Sequence, residues 1–180
     1  VGEAKEVLHS RARAILAEGY APPPDYRLPE SLACDHYPRS AAEIYEKILF
    51  HGSHLQGLRW VQCCTPDGMV ANATAAPAPV HWIVAPLRNT WLCDPLVLDS
   101  AFQMASLWCY EQQGCVSLPS RAASYRQFRT SFPAEGAKIV LEVREAAGKK
   151  MRGDFTFLDA ENQVIARLVG YEAVMDPLLN

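Results

Sequence analysis

Hydrophobic positions along the chain change their period as it proceeds. Between Ser40 and Gly52 they recur at helical spacing, with Ile44, Tyr45, Ile48 and Leu49 on one stripe. Ser40-Ala-Ala-Glu43 has the form of a capping box and Gly52 suits a helix end, which predicts a short helix of about three turns. Residues 58–64 read as a strand, Thr65-Pro-Asp-Gly68 as a tight turn, and residues 69–76 as the returning arm of a hairpin. Residues 81–85 form a third short β-like run. The strongest helix signal follows. Asp94 can cap, Pro95 suits the first helical position and Gly114 suits the end, giving a helix over 96 to about 112. Leu98, Ala101, Phe102, Ala105, Trp108 and Cys109 mark one face, while Leu96, Val97, Met104 and Leu107 occupy the rest of the circumference. A helix apolar nearly all round belongs inside something, most simply wrapped by a sheet. Leu118-Pro119-Ser120 reads by itself as a turn. Strand-like alternation then returns over 125–132, 138–145, 151–158 and 163–174, so the order predicts an α+β fold whose antiparallel sheet curls around one central helix.

The N-terminal stretch is less uniform. Residues 9–16 alternate imperfectly and fit an edge-type strand, while a helix over 4–18 is also possible. Pro22, Pro23 and Pro24, followed by Pro29 and Pro38, fix φ and remove donors, which reads as a stiff extended linker rather than a packed element. The chain therefore divides into a terminal element at 1–19, a proline-rich linker at 20–39 and a main domain at 40–180.

Composition narrows the function classes. At roughly 100–200 residues per domain, 180 residues make one domain, or one domain with a piece of a neighbour. Seventeen Lys and Arg against twenty Asp and Glu exclude a broad cationic surface, so no nucleic-acid partner is expected. There is no apolar run of about 18 residues and no signal-peptide pattern after Val1, so no membrane partner is expected and a cytoplasmic location is. Cys34, Cys63, Cys64, Cys93, Cys109 and Cys115 form no CxxC and no repeated spacing, which reads as buried reduced thiols in a reducing compartment. His9, His36, His51, His54 and His81 do not combine with them at zinc spacing, so no metal site is expected.

Asp99 is the residue with most chemical promise. Gln103 stands one helical turn later at i+4, where its amide can donate to the carboxylate and fix its rotamer. A carboxyl held partly out of water tends to keep its proton to higher pH, which suits a proton donor. The alternative is a solvent-facing Asp near the helix start. A second cluster, His51-Gly-Ser-His-Leu-Gln-Gly-Leu58, is either a glycine-framed functional turn or a polar loop with exposed imidazoles.

Taken in order, His51-Gly-x-x-Leu-Gln-Gly-Leu58, then Asp94-Pro-x-x-x-Asp99-x-x-x-Gln103, then Leu118-Pro119, the clusters resemble the C-terminal half of a polyketide-synthase-type dehydratase domain. The resemblance runs from about His36 to the C-terminus. It implies a hotdog fold, a sheet wrapped around one long helix, paired with another hotdog. Residues 7–16 are similar to the closing strand of that family's first half, and 22–38 to its connecting linker. Asp99 would then protonate the departing β-hydroxyl of a 3-hydroxyacyl thioester, and Gln103 would orient that carboxyl. His51, Gly52, Leu55, Leu118 and Pro119 would lie against the acyl chain and thioester. The family's base is a His in a His-x-x-x-Gly-x-x-x-x-Pro motif of the first half, and the 180 residues contain no such motif.

The resemblance implies no metal and no prosthetic group. Substrate would arrive on the phosphopantetheine of an acyl carrier protein, and the partners would be that carrier and an N-terminal or other hotdog. His51, Ser53 and Leu55 stand where the family has Tyr, Pro and Phe, and Cys93-Asp94 stands where a His precedes the Pro. These departures point either to a divergent subgroup, such as polyunsaturated-fatty-acid or iterative synthases, or to a domain whose activity has decayed. Two other readings stand beside the dehydratase half. One is a non-catalytic module that binds acyl carrier protein or props up a synthase; the other is a single hotdog thioesterase.

Overall fold

The computed structural model describes residues 9–179. Its main element is α2, Pro95–Gln113, packed against an antiparallel sheet. The sheet contains β1 (Leu58–Thr65), β2 (Gly68–Ala73), β3 (Ser117–Arg121), β4 (Ser124–Gln127), β5 (Ala137–Ala147), β6 (Lys150–Leu158) and β7 (Val164–Met175). The spatial order is β1-β2-β5-β6-β7-β3, with β4 also pairing with β7. This is the hotdog fold, an α+β architecture with one long helix in the concavity of a sheet.

Why α2 sits there follows from its sequence. Leu96, Val97, Ala101, Met104, Ala105, Leu107, Trp108 and Cys109 are all buried. All of these but Leu96, which packs beside Gly57, share one core cluster with inner side chains of the sheet, among them Val61, Met69, Ile139, Leu141, Phe155, Phe157 and Tyr171. The helix starts and stops as its terminal residues dictate. Asp94 Oδ1 accepts from the Leu96 and Val97 amides at 3.0 and 2.9 Å, and Gly114 ends the helix at φ 73°, the left-handed conformation that favours glycine. Asp94 also accepts from the Ala76 amide at 2.9 Å, so the cap ties the end of the hairpin to the helix. Burial pushes its carboxyl above the usual range, against the pull of these three amides.

A short helix α1, Ala41–Lys47, precedes the sheet. The capping box at Ser40 and Glu43 is present in both directions, but the helix has seven residues and ends before Gly52. The chain leaves α1 at Ile48 in a non-helical conformation, which is why the predicted third turn is not made.

Four further expectations are corrected. Residues 9–17 have neither helix nor strand and are exposed, so neither N-terminal reading is realised over these residues; 1–8 lie outside the described residues. Residues 81–85 are not a strand, because the chain makes a 3-10 turn at Pro79–His81 and then bends. Leu118, Pro119 and Ser120 are not a turn but the body of β3, with Leu118 opposite Val174 and Pro119 opposite Ala173 on β7. Proline is admissible there because β3 lies at the end of the sheet order, where one side needs no donor.

The fourth correction concerns the linker and the cysteines. From Tyr26 onward the supposed linker is packed: Tyr26, Leu28, Leu32 and Cys34 lie against Cys63, Val70, Val140, Leu158 and Val164, with Leu32 fully buried. Cys34 and Cys63 form a disulfide, with Cα atoms 5.2 Å apart, so Cys63 is not a free thiol. The physical reason is a register shift in β1 between Val61 and Cys63. It turns Cys63 to the outer face opposite Val70 and leaves Cys64 packing toward the helix side. Cys64, Cys93, Cys109 and Cys115 are free, as expected. No helix among the described residues is long and apolar enough to cross a membrane.

Candidate functional site

Asp99 and Gln103 leave the same face of α2 one turn apart, and the predicted bond between them is made. Gln103 Nε2 donates to Asp99 Oδ2 at 2.6 Å. The same nitrogen donates to the Leu55 carbonyl at 2.7 Å. Gln103 Oε1 accepts from the Tyr45 hydroxyl at 2.6 Å, and the Tyr45 oxygen accepts from the Leu58 amide at 2.8 Å. Gln103 is buried, and its amide is used on both sides. The Asp99 side chain is 33% exposed. Asp99 is therefore held by one oxygen while Oδ1 takes no hydrogen bond from the described residues.

The loop 51–57 meets the helix at this point. His51 Nε2 lies 3.9 Å from Asp99 Oδ2, with the His51 side chain only 13% exposed. The Phe50 ring stacks on the imidazole at 4.6 Å between centroids, and Gln56 Nε2 donates to the His51 carbonyl at 3.0 Å. Burial pushes the His51 imidazole below its ordinary value, and the nearby Asp99 charge opposes this less strongly. The loop is anchored by its second glycine. A Cβ on Gly57 would run into Ser100 Oγ and the Leu96 side chain, so the loop can approach α2 only with glycine there. Beside Gly52, by contrast, a Cβ would meet nothing within 4 Å, so that side of the loop is open.

Sequence reasoning thus finds Asp99, Gln103, His51, Gly52 and Leu55 in one place. Leu55 enters through its carbonyl, while its side chain points to solvent, 41% exposed. Leu118 and Pro119 are held on β3, and no hydrogen bond or ion pair joins them to the Asp99 group among the described residues. The group that sequence reasoning missed is Tyr45. Its place on the apolar stripe of α1 signals core, and it is half-buried, but its hydroxyl bridges the backbone of β1 to Gln103. Burial pushes its pKa up to about 12, so it stays a hydroxyl through neutral pH. Among the described residues there is no cluster of three His, Cys, Asp or Glu that could hold a metal ion.

A family model described as the polyketide synthase dehydratase N-terminal domain matches residues 27–175. One component chain of the polyunsaturated fatty acid synthase of Thraustochytrium sp. (strain ATCC 26185 / S-3) is 29% identical over 168 residues, covering 87% of this chain and 6% of that protein. The chain thus spans a small fraction of that relative's length. Among solved structures, a trans-AT PKS dehydratase domain from Brevibacillus brevis superposes with a TM-score of 0.62 at 19% identity, over 79% of this chain and 50% of that one. The dehydratase domain of PpsC from Mycobacterium tuberculosis, solved in complex with C12:1-CoA, gives 0.60 at 17% identity, over 77% and 52%. At these identities the two structures speak for the fold.

Proposed function

The chain belongs to the polyketide synthase dehydratase family, and from that premise we propose that it is the C-terminal hotdog of a 3-hydroxyacyl thioester dehydratase with Asp99 as its acid. The matching family model is described as an N-terminal domain; the Asp99–Gln103 helix motif and the lack of a His-x-x-x-Gly-x-x-x-x-Pro sequence support the C-terminal half instead. The observation that carries the reading is the division of labour at the carboxyl. Oδ2 is committed to the Gln103 amide, which leaves Oδ1 to carry a proton on the half-exposed side.

In the proposed reaction a base removes the α-proton of the thioester. The C–O bond at the β-carbon breaks as a C=C bond forms, and the departing hydroxyl takes the Asp99 proton to leave as water. The base is a His from the half that precedes this one. Gln103 keeps the carboxyl in place, Tyr45 keeps Gln103 in place, and the open side of Gly52 leaves room for the thioester. Leu118 and Pro119 are assigned to the far wall of the acyl site on the family resemblance. The reaction as written needs no metal or prosthetic group in this half. Substrate comes on the phosphopantetheine of an acyl carrier protein within a cytoplasmic polyketide or fatty-acid megasynthase.

The test is Asp99→Asn in the parent protein. Asn keeps the size and the Gln103 contact but delivers no proton, so dehydration should fall by about 10²–10⁴-fold. The 180-residue chain alone should be inactive. A wild-type rate for the Asn variant would leave the non-catalytic carrier-docking module as the reading, which the replaced loop residues His51, Ser53 and Leu55 favour.

A further inference from the structure

We propose that His51 is a positioning residue that holds Asp99 as a neutral imidazole, its Nε2–H aimed at Oδ2. The proposal deepens the dehydratase reading and rests on it for the catalytic consequence, though not for the geometry. His51 Nε2 and the Gln103 amide approach the same carboxylate oxygen, at 3.9 and 2.6 Å. The other ring nitrogen, Nδ1, is buried and has no partner among the described residues. A proton on Nδ1 would therefore be a buried donor without an acceptor, and would turn the lone pair of Nε2 toward the lone pairs of Oδ2. A proton on Nε2 avoids both costs. Asp99 is the charged side chain that bears on the ring; Gln103 and Tyr45, on the same carboxyl network, are neutral. Burial outweighs Asp99 and keeps the imidazole uncharged at neutral pH.

The consequence is asymmetric. Two N–H groups from separate elements, the 51–57 loop and α2, converge on Oδ2, so the acidic proton is directed to Oδ1. The Phe50 ring stacks on the imidazole at 4.6 Å between centroids, on the outer side of the loop.

Nitrogen-15 NMR of the imidazoles in the 180-residue chain tests the geometry directly. His51 should be neutral with its proton on Nε2 at neutral pH, titrating below the usual 6.5. Asp99→Asn should move that midpoint further down, since the carboxylate's attraction for the cation is lost. A proton on Nδ1, or a midpoint unmoved by Asp99→Asn, overturns the proposal. In the parent protein, His51→Phe keeps the ring stacking but loses the donor, and kcat should fall on the order of tenfold. His51→Gln, which retains an N–H, should recover most of that loss. Equal rates for the two variants would also overturn it. If Asp99→Asn dehydrates at the wild-type rate, the reaction assigned to the site fails, and the NMR outcome stands or falls independently.

Discussion

The two halves of α2 do opposite jobs. Residues 104–109, Met104 to Cys109, are almost entirely sealed in the core, with Met104, Ala105, Leu107 and Cys109 fully buried and Trp108 nearly so. Trp108 even spends its one donor on structure, giving Nε1–H to the Thr65 carbonyl at 2.8 Å. The first turns carry the polar chemistry: Asp94 at the cap, Asp99 half-exposed, Ser100 donating to the Leu96 carbonyl at 2.7 Å, and Gln103 linking three elements. The apolar half has one partner, the sheet, and is rigid because its burial is non-directional and dense. The polar half borrows that rigidity and needs only a few directed bonds to place one carboxyl.

The contrast is broken most severely by Trp108→Ala, which leaves a cavity and an unpaired Thr65 carbonyl. Stability should fall by about 3–5 kcal/mol in urea unfolding, whereas Asp99→Asn should stay within about 0.5 kcal/mol of wild type. Equal losses would erase the distinction between anchor and site. Reducing Cys34–Cys63, which closes a separation of 29 residues, should cost about 3 kcal/mol. Because this bond lies on the face of the sheet opposite α2, the Asp99 site should keep its NMR signature while thermal stability drops. Tyr45→Phe should cost about 1–3 kcal/mol, since it strands the Leu58 amide and Gln103 Oε1. Unlike Trp108→Ala, it should also lower dehydration in the parent protein.

The smallest effect is a pH slope. The folded-state pKa of His51 is depressed below 6.5, so the stability tied to its neutral form is fully present above that value. It is lost as pH falls from 6.5 through the folded value, because the unfolded chain takes up the proton first. His51→Gln should flatten unfolding free energy across that window, leaving the slope outside it unchanged.

What was legible in the sequence was what depends on local spacing. The long helix, its Asp94 cap, its Gly114 stop and the Asp99–Gln103 pair all follow from intervals of two to four residues along one chain segment. Features set by distant partners were not. The Cys34–Cys63 bridge depends on a register shift that reverses which face Cys63 takes, and no alternation pattern announces it. β3 was hidden because Pro119 argues against a strand unless one knows it lies at a sheet end. Tyr45 looks like any aromatic on an apolar stripe; only the return of β1 beside it gives its hydroxyl two partners.

The bridge from Leu58 through Tyr45 and Gln103 to Asp99 also has a sense of direction. Its first donor is a peptide N–H, which has no second protonation state and cannot reverse. That fixes the Tyr45 hydroxyl toward Gln103, and the Gln103 amide toward Leu55 and Asp99, leaving no vacancy for a proton to travel back. The network is thus a fixed clamp rather than a proton wire. It can orient the carboxyl but cannot resupply it, so under the proposed reaction each proton given up by Asp99 has to return through Oδ1, the oxygen left without a partner among the described residues.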